Sequence, residues 1–163
     1  MAKLITAPDE YLPGRDEVSI FLAGGITGCP KWQKEVYEGL KSILNLVVYN
    51  PRRDDFDIGN KDMSKEQIRW EHKYLNQADM ISIWFPDCKD SVCPITLYEL
   101  GYWVNTDKEI IVGAEEDYDR LLDLKVQLDL AGYKGEIEYS SVDEFISDVR
   151  SNITEIQLRK PRS

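Results

Sequence analysis

The hydrophobic pattern of the chain centres on Met80-Ile81-Ser82-Ile83-Trp84-Phe85, an apolar run that reads as a strand buried on both faces. Shorter runs at Val18–Ala23, Leu46–Asn50 and Glu109–Gly113, with a weaker one at Glu136–Tyr139, predict four more strands. Helical periodicity fills the intervals. Trp32, Val36, Leu40 and Ile43 recur at spacings near 3.6 in a helix expected over Pro30–Leu44. Ser64 and Gln67 stand at capping-box spacing and predict a helix to Gln77, with Ile68, Tyr74 and Leu75 as its apolar positions. A third helix follows Cys93 and carries Glu99 within Ile95–Trp103. A fourth, Asp117–Ala131, is apolar over much of its circumference and ends at Gly132. The last runs from Val142 to Leu158 behind Ser141 as its cap, with Phe145, Ile146, Val149, Ile153 and Ile156 facing inward.

Strands alternating with helices specify right-handed βαβ units. The expected fold is α/β: one doubly wound, mainly parallel, five-stranded sheet flanked by helices, over residues 18–158. Residues 1–17, with Pro8, Pro13 and Gly14, read as an irregular lead-in, and Arg159–Ser163 as a frayed tail. In such folds ligands bind beyond the carboxyl ends of the strands. The loops after Ala23, Asn50 and Phe85 are therefore where chemistry is sought.

Composition narrows the function. A length of 163 residues suits one domain, and a net charge of −10 excludes polymeric nucleic acid as a partner. A nucleoside or mononucleotide, held by one or two arginines, stays open. No apolar run approaches the roughly 20 residues of a bilayer span. The N-terminus lacks the apolar core of a signal peptide, so a cytoplasmic location without membrane partners is expected. Cys29, Cys88 and Cys93 form no CxxC pair and His72 is alone, so free thiols are expected, with no metal and no cofactor.

The turn Ala23-Gly24-Gly25-Ile26-Thr27-Gly28 opens a helix after a strand, where backbone N–H groups can cradle an anion. It has neither the dinucleotide fingerprint nor a Walker ending, and glycine can equally serve a tight turn at positive φ. For Glu99, Thr96 offers a capping box, which would make the carboxylate structural. Pro94 fits the first helical position better, moving the cap to Cys93 and leaving Glu99 in the second turn, facing the crevice. Helix-start dipoles would then favour its ionised form. Arg52 and Arg53 follow Asn50-Pro51 and read either as an anion fork or as partners of Asp54, Asp55 and Asp57. Asp79 precedes the central strand, at the amino end, where a cap or ion pair is the plainer role. His72 reads as solvated. Trp70 and Trp84 read as core or as base-stacking platforms. Cys88 and Cys93 border the crevice without a histidine to activate them.

Four pieces occur in one order: Ile20–Gly28 with Trp32-Gln33; Asn50-Pro51-Arg52-Arg53; Gln67-Ile68, Trp70-Glu71 and Ala78-Asp79; and Trp84-Phe85-Pro86 with Pro94-Ile95-Thr96-Leu97 and Glu99-Leu100-Gly101. Together they resemble the nucleoside 2-deoxyribosyltransferase-like family over roughly residues 18–113. The resemblance implies a flavodoxin-like or Rossmann-like domain, homo-oligomers with sites completed by a neighbour, and cleavage of an N-glycosidic bond at a 2-deoxyribosyl centre. It makes Glu99 the nucleophile that captures C1′, associates Asp79 with the base site, and lets the backbone approach the ligand at Gly24 and Gly25. The ligand-contacting residues expected on both grounds are Gly24, Gly25, Ile26, Asn50, Arg52, Arg53, Trp70, Phe85 and Pro86. The expected partners are a nucleoside or nucleotide and an acceptor base. Phe21 stands where some members carry an aromatic hydroxyl, and Cys93 where others carry an aspartate. The alternatives are a hydrolase of deoxynucleoside 5′-monophosphates and a non-catalytic nucleotide-binding module.

Overall fold

Six strands pair in parallel in a computed structural model that describes residues 1–160. They are β1 Lys3–Thr6, β2 Val18–Gly24, β3 Leu46–Asn50, β4 Met80–Phe85, β5 Glu109–Glu115 and β6 Glu138–Tyr139, in the order β1-β3-β2-β4-β5-β6. The helices are α1 Trp32–Leu40, α2 Lys61–Gln77, α3 Pro94–Trp103, α4 Leu121–Leu130 and α5 Val142–Arg159. Without β1 the order is that of flavodoxin-like sheets, whose direction of winding reverses between the first and third strands. Here those strands are β2 and β4.

Period-two alternation along the strands splits the core. Phe21, Ala23, Tyr49, Ile81, Ile83, Phe85 and Val112 face α2, α3 and α4, where Trp70, Tyr74, Leu100, Trp103 and Leu124 cover them. Ile20, Leu22, Val48, Met80, Trp84 and Ile111 face the opposite way, under Trp32, Val36 and Leu40 of α1 and Phe145, Val149 and Ile153 of α5. Trp84 stacks on Phe145 at 4.9 Å between centroids. The carboxylate-bearing helices α2 and α3 thus share one side of the sheet.

The lead-in is irregular only after its first residues, since residues 7–17 hold neither helix nor strand while Lys3–Thr6 is a strand. Lys3–Thr6 adds to the sheet edge against Val47–Asn50, and the chain beyond it is pinned to α2 by Trp70 Nε1 donating to the Asp9 carbonyl at 2.7 Å. The sheet therefore has six strands, not five. Residues 161–163 of the expected frayed tail lie outside the described residues; Arg159 and Lys160 are engaged, with Glu109 at 2.8 Å and Asp79 at 3.0 Å. α2 begins at Lys61, because Asn60 Oδ1 accepts from the amides of Asp62 and Met63 at 3.1 Å, which places Ser64 inside the helix. α1 and α4 are shorter than their periodicity suggests, and Ile68 is exposed. Ser141 holds the N-cap position of α5 without a side-chain capping bond. Gly132 does stop α4: at φ +84° it donates to the Asp129 carbonyl while Tyr133 donates to that of Leu128, a Schellman pair.

Candidate active site

β2 and β4 are neighbours in register, Gly24 opposite Trp84, so the turn after β2 and the loop after β4 meet at the reversal point. Backbone packs too closely there for side chains. A Cβ on Gly24 would lie 2.4 Å from the Trp84 carbonyl oxygen, and one on Gly25 would lie 2.5 and 2.6 Å from the sulfurs of Cys29 and Cys93. Trp32 Nε1 donates to the Gly25 carbonyl at 2.9 Å, fixing the turn from α1. The positive φ expected of the turn belongs to Gly28 alone, at +73°. Ile26 is half-buried beside it.

The loop after Phe85 and Pro86, both buried, leads to Cys93, which takes a left-handed φ of 53° as the N-cap of α3. Pro94 follows at the first helical position, so the Thr96 capping box does not form and Glu99 stands in the second turn, as the proline predicts. Glu99 is half-buried, and among the described residues its carboxylate has no hydrogen-bond or ion-pair partner. Burial, reinforced by the charge of Glu71, pushes its pKa up to about 8. The expectation that helix-start dipoles keep it ionised fails, because that field fades within the first turn.

Glu71 of α2 is the residue that sequence reasoning passed over. It is half-buried, its pKa is raised by burial, and Gln67 opposes the rise by donating from Nε2 to its Oε1 at 2.8 Å. The same Nε2 donates to the Pro51 carbonyl at 2.7 Å, which ties Glu71 to the end of β3. Gln67 Oε1 is buried and unpaired among the described residues. Burial raises the proton affinity of both carboxyls, and the charge of Glu71 adds to the rise at Glu99. The signal was local: Glu71 lies within the Gln67–Glu71 motif, without a hydrophobic period to mark it.

The other expected residues separate into groups. Arg52 is turned inward, donating from Nη1 to the Pro30 carbonyl and Gln33 Oε1 and from Nη2 to the Cys29 carbonyl at 2.9 Å. Arg53 pairs with Asp55 at 3.0 Å and Glu66 at 2.7 Å. Asn50 Oδ1 accepts from the Arg52 amide at 3.0 Å. Trp70 is buried against Tyr74 and Phe21, and Phe85 against Tyr118. Asp79 lies at the amino end of β4, on the order of 20 Å along the strand from Phe85 at ~3.3 Å per residue. There its Oδ2 accepts from the Ser19 amide at 2.7 Å, the Ser19 hydroxyl at 3.0 Å and Lys160 at 3.0 Å. The structure does not bring Asp79 together with Glu99.

The free-thiol expectation is overturned. Cys29 and Cys88, 59 residues apart, are joined by a disulfide that links the β2–α1 turn to the β4–α3 loop. Cys93 alone is free; burial pushes its thiol pKa up.

Fold and site together define a flavodoxin-like α/β protein with a carboxylate pair on the α2–α3 side of its sheet. Within that class the chain belongs to the nucleoside 2-deoxyribosyltransferase-like family, whose sequence model matches residues 17–118. The match spans Gly24, Glu71 and Glu99 and stops before α4, β6 and α5. No curated protein matches the chain.

Proposed function

We propose that the protein cleaves the N-glycosidic bond of a 2′-deoxynucleoside, holds the sugar on Glu99, and transfers it to another base. The observation that carries this reading is the half-buried Glu99 carboxyl, which has no hydrogen-bond or ion-pair partner among the described residues and feels the charge of Glu71. One carboxylate and one protonated carboxyl supply both roles that glycosidic cleavage demands. Glu99 in its ionised form attacks C1′ while the proton resides on Glu71. The C1′–N bond breaks, its electron pair goes to the departing base, and Glu71 gives its proton to a ring nitrogen of that base. Glu99 and C1′ are left joined as an ester. The acceptor base attacks C1′ through a ring nitrogen, releases the Glu99 carboxylate and returns a proton to Glu71. Water in place of the base would give hydrolysis.

Arg52 and Arg53 are already engaged by protein acceptors, which favours a nucleoside over a 5′-monophosphate. Asp79 has no part in this scheme, since its oxygen serves Ser19 and Lys160. Assembly into homo-oligomers is supported by apolar stripes that the chain leaves open. Ile95, Tyr98 and Tyr102 line one side of α3, and Leu122, Val126 and Leu130 one side of α4, all at least 49% exposed.

The test is chromatography of 2′-deoxynucleosides and their 5′-monophosphates, with and without an acceptor base, beside Glu99→Ala. New nucleoside that requires acceptor and vanishes in the variant supports transfer through Glu99. Base released without acceptor, chiefly from monophosphates, makes the enzyme a hydrolase. Undiminished activity in Glu99→Ala removes the nucleophile, and binding without turnover leaves a nucleotide-binding module.

A further inference from the structure

Cys29 ends the turn after β2, Cys88 lies in the loop after β4 and Cys93 caps α3, yet their three sulfurs lie within 4.8 Å of one another. The residues are only 7%, 4% and 4% exposed. Glycosyl transfer uses none of them. Soft sulfurs converging from three buried segments are the donor set that thiophilic d10 cations select, and three protein ligands leave a further position for water.

The surrounding backbone is shaped to this convergence. Gly25 gives the sulfurs of Cys29 and Cys93 their room, since any Cβ there would stand 2.5 and 2.6 Å from them. Cys93 adopts φ 53°, a conformation uncommon for a side-chain-bearing residue, in the position that joins it to the other two. A divalent ion with three thiolates carries one net negative charge, and the guanidinium of Arg52 stands at the Cys29 carbonyl, 2.9 Å away.

We propose that the reduced cluster is a metal site in which Cys29, Cys88 and Cys93 bind one zinc-class d10 cation, and that the Cys29–Cys88 disulfide is the form that excludes the ion. The conversion balances. A dithiol reductant gives two electrons and two protons to the disulfide, becoming a disulfide itself and leaving Cys29 and Cys88 as thiols. Metal binding then forms three metal–sulfur bonds and releases one proton from each thiol.

The full chain is reduced with dithiothreitol, freed of reductant without air, and titrated with Zn2+ against a chromogenic chelator; Co2+ is added to a parallel sample. The expected result is one Zn2+ per chain in the reduced protein only, with sulfur-to-cobalt charge-transfer absorption. Cys93→Ser keeps the Cys29–Cys88 disulfide when oxidised, which mass spectrometry and circular dichroism verify, so its fold is checked independently of metal. That variant, once reduced, is expected to bind zinc about a hundredfold or more weakly, since even outer-shell changes cost about 10- to 100-fold. Equal zinc affinity in oxidised and reduced protein, or in wild type and Cys93→Ser, overturns the proposal. Neither readout depends on glycosyl transfer.

Discussion

Glu99 on α3 and Glu71 on α2 share one electrostatic environment: the charge of Glu71 raises the proton affinity of Glu99 beyond the rise that burial causes. A group whose folded pKa exceeds its unfolded value binds more protons when folded, so its contribution to stability falls as pH rises. For Glu99 the window runs from the model-compound value of 4.5 to about 8. Folding is therefore expected to weaken across that interval, by at most about 5 kcal/mol from this residue. Glu99→Gln removes the penalty. Chemical denaturation of that variant should show a flatter stability–pH curve and greater stability than wild type at pH ~8, together with loss of base release. A wild-type curve that rises between pH ~5 and ~8 in step with Glu99 titration would contradict the buried pair.

Gln67 positions Glu71 and lowers its proton affinity through the 2.8 Å bond to Oε1. Gln67→Leu removes that donor and also strips the Pro51 carbonyl of its partner, at about 1–3 kcal/mol in stability. With the bond gone, Glu71 holds its proton to higher pH. The basic limb of the kcat profile should move upward, while kcat at the optimum falls by roughly tenfold to a hundredfold from the lost orientation of the acid. A merely structural Gln67 would lower stability and leave the limb where it was.

Much of this arrangement is visible in the chain because it is local. Met80–Phe85 and Leu46–Asn50 form strands with the bounds their apolar runs give, and Pro94 alone decides between the two readings of Glu99. The features that the chain does not show depend mostly on contacts distant in sequence. Lys3–Thr6 is four residues of half-exposed edge whose strand character comes from pairing with β3. Cys29 and Cys88 meet because β2 and β4 are adjacent in the sheet, which no cysteine spacing reveals. For Arg52 the sequence leaves an anion fork and an ion pair with nearby aspartates both open, and only the fold supplies the Cys29 and Pro30 carbonyls that its guanidinium reaches. Asn60 outcompetes Ser64 as a cap because its side chain reaches two amides at once.

The glycines at the reversal point differ in what they tolerate. Gly24→Ala drives a methyl to 2.4 Å from both the Trp84 carbonyl and the Trp32 ring, and the backbone cannot yield to it. A loss of about 3 kcal/mol or more is expected, at the upper end of overpacking. Gly28→Ala meets open space but must hold φ +73°, which costs about 1 kcal/mol. Gly101→Ala, inside α3 with nothing within 4 Å, should stabilise the chain by about 0.5–1 kcal/mol. Thermal melts of the three variants give the order directly. Equal melting temperatures for Gly24→Ala and Gly28→Ala would contradict the close approach at Gly24.

Tyr98 is 74% exposed on the helix that carries Glu99, between Ile95 and Tyr102, which are 66% and 57% exposed. An apolar side of a helix already packed on its other side requires a second surface to cover it. If that surface is another copy of the chain, Tyr98→Arg places a charge at the seam and should weaken self-association by about 30-fold or more, the effect of losing an interface hot spot of ~2 kcal/mol. Sedimentation of wild type and variant across a concentration series measures the shift. Activity then separates two roles for the neighbour. Where the neighbour completes the site, specific activity in Tyr98→Arg falls on dilution and recovers at high protein concentration, in parallel with assembly. Where assembly only shelters α3, the variant dissociates and its activity per chain stays constant. A wild-type chain that remains monomeric at all concentrations would leave the stripe uncovered and remove self-assembly from the reading.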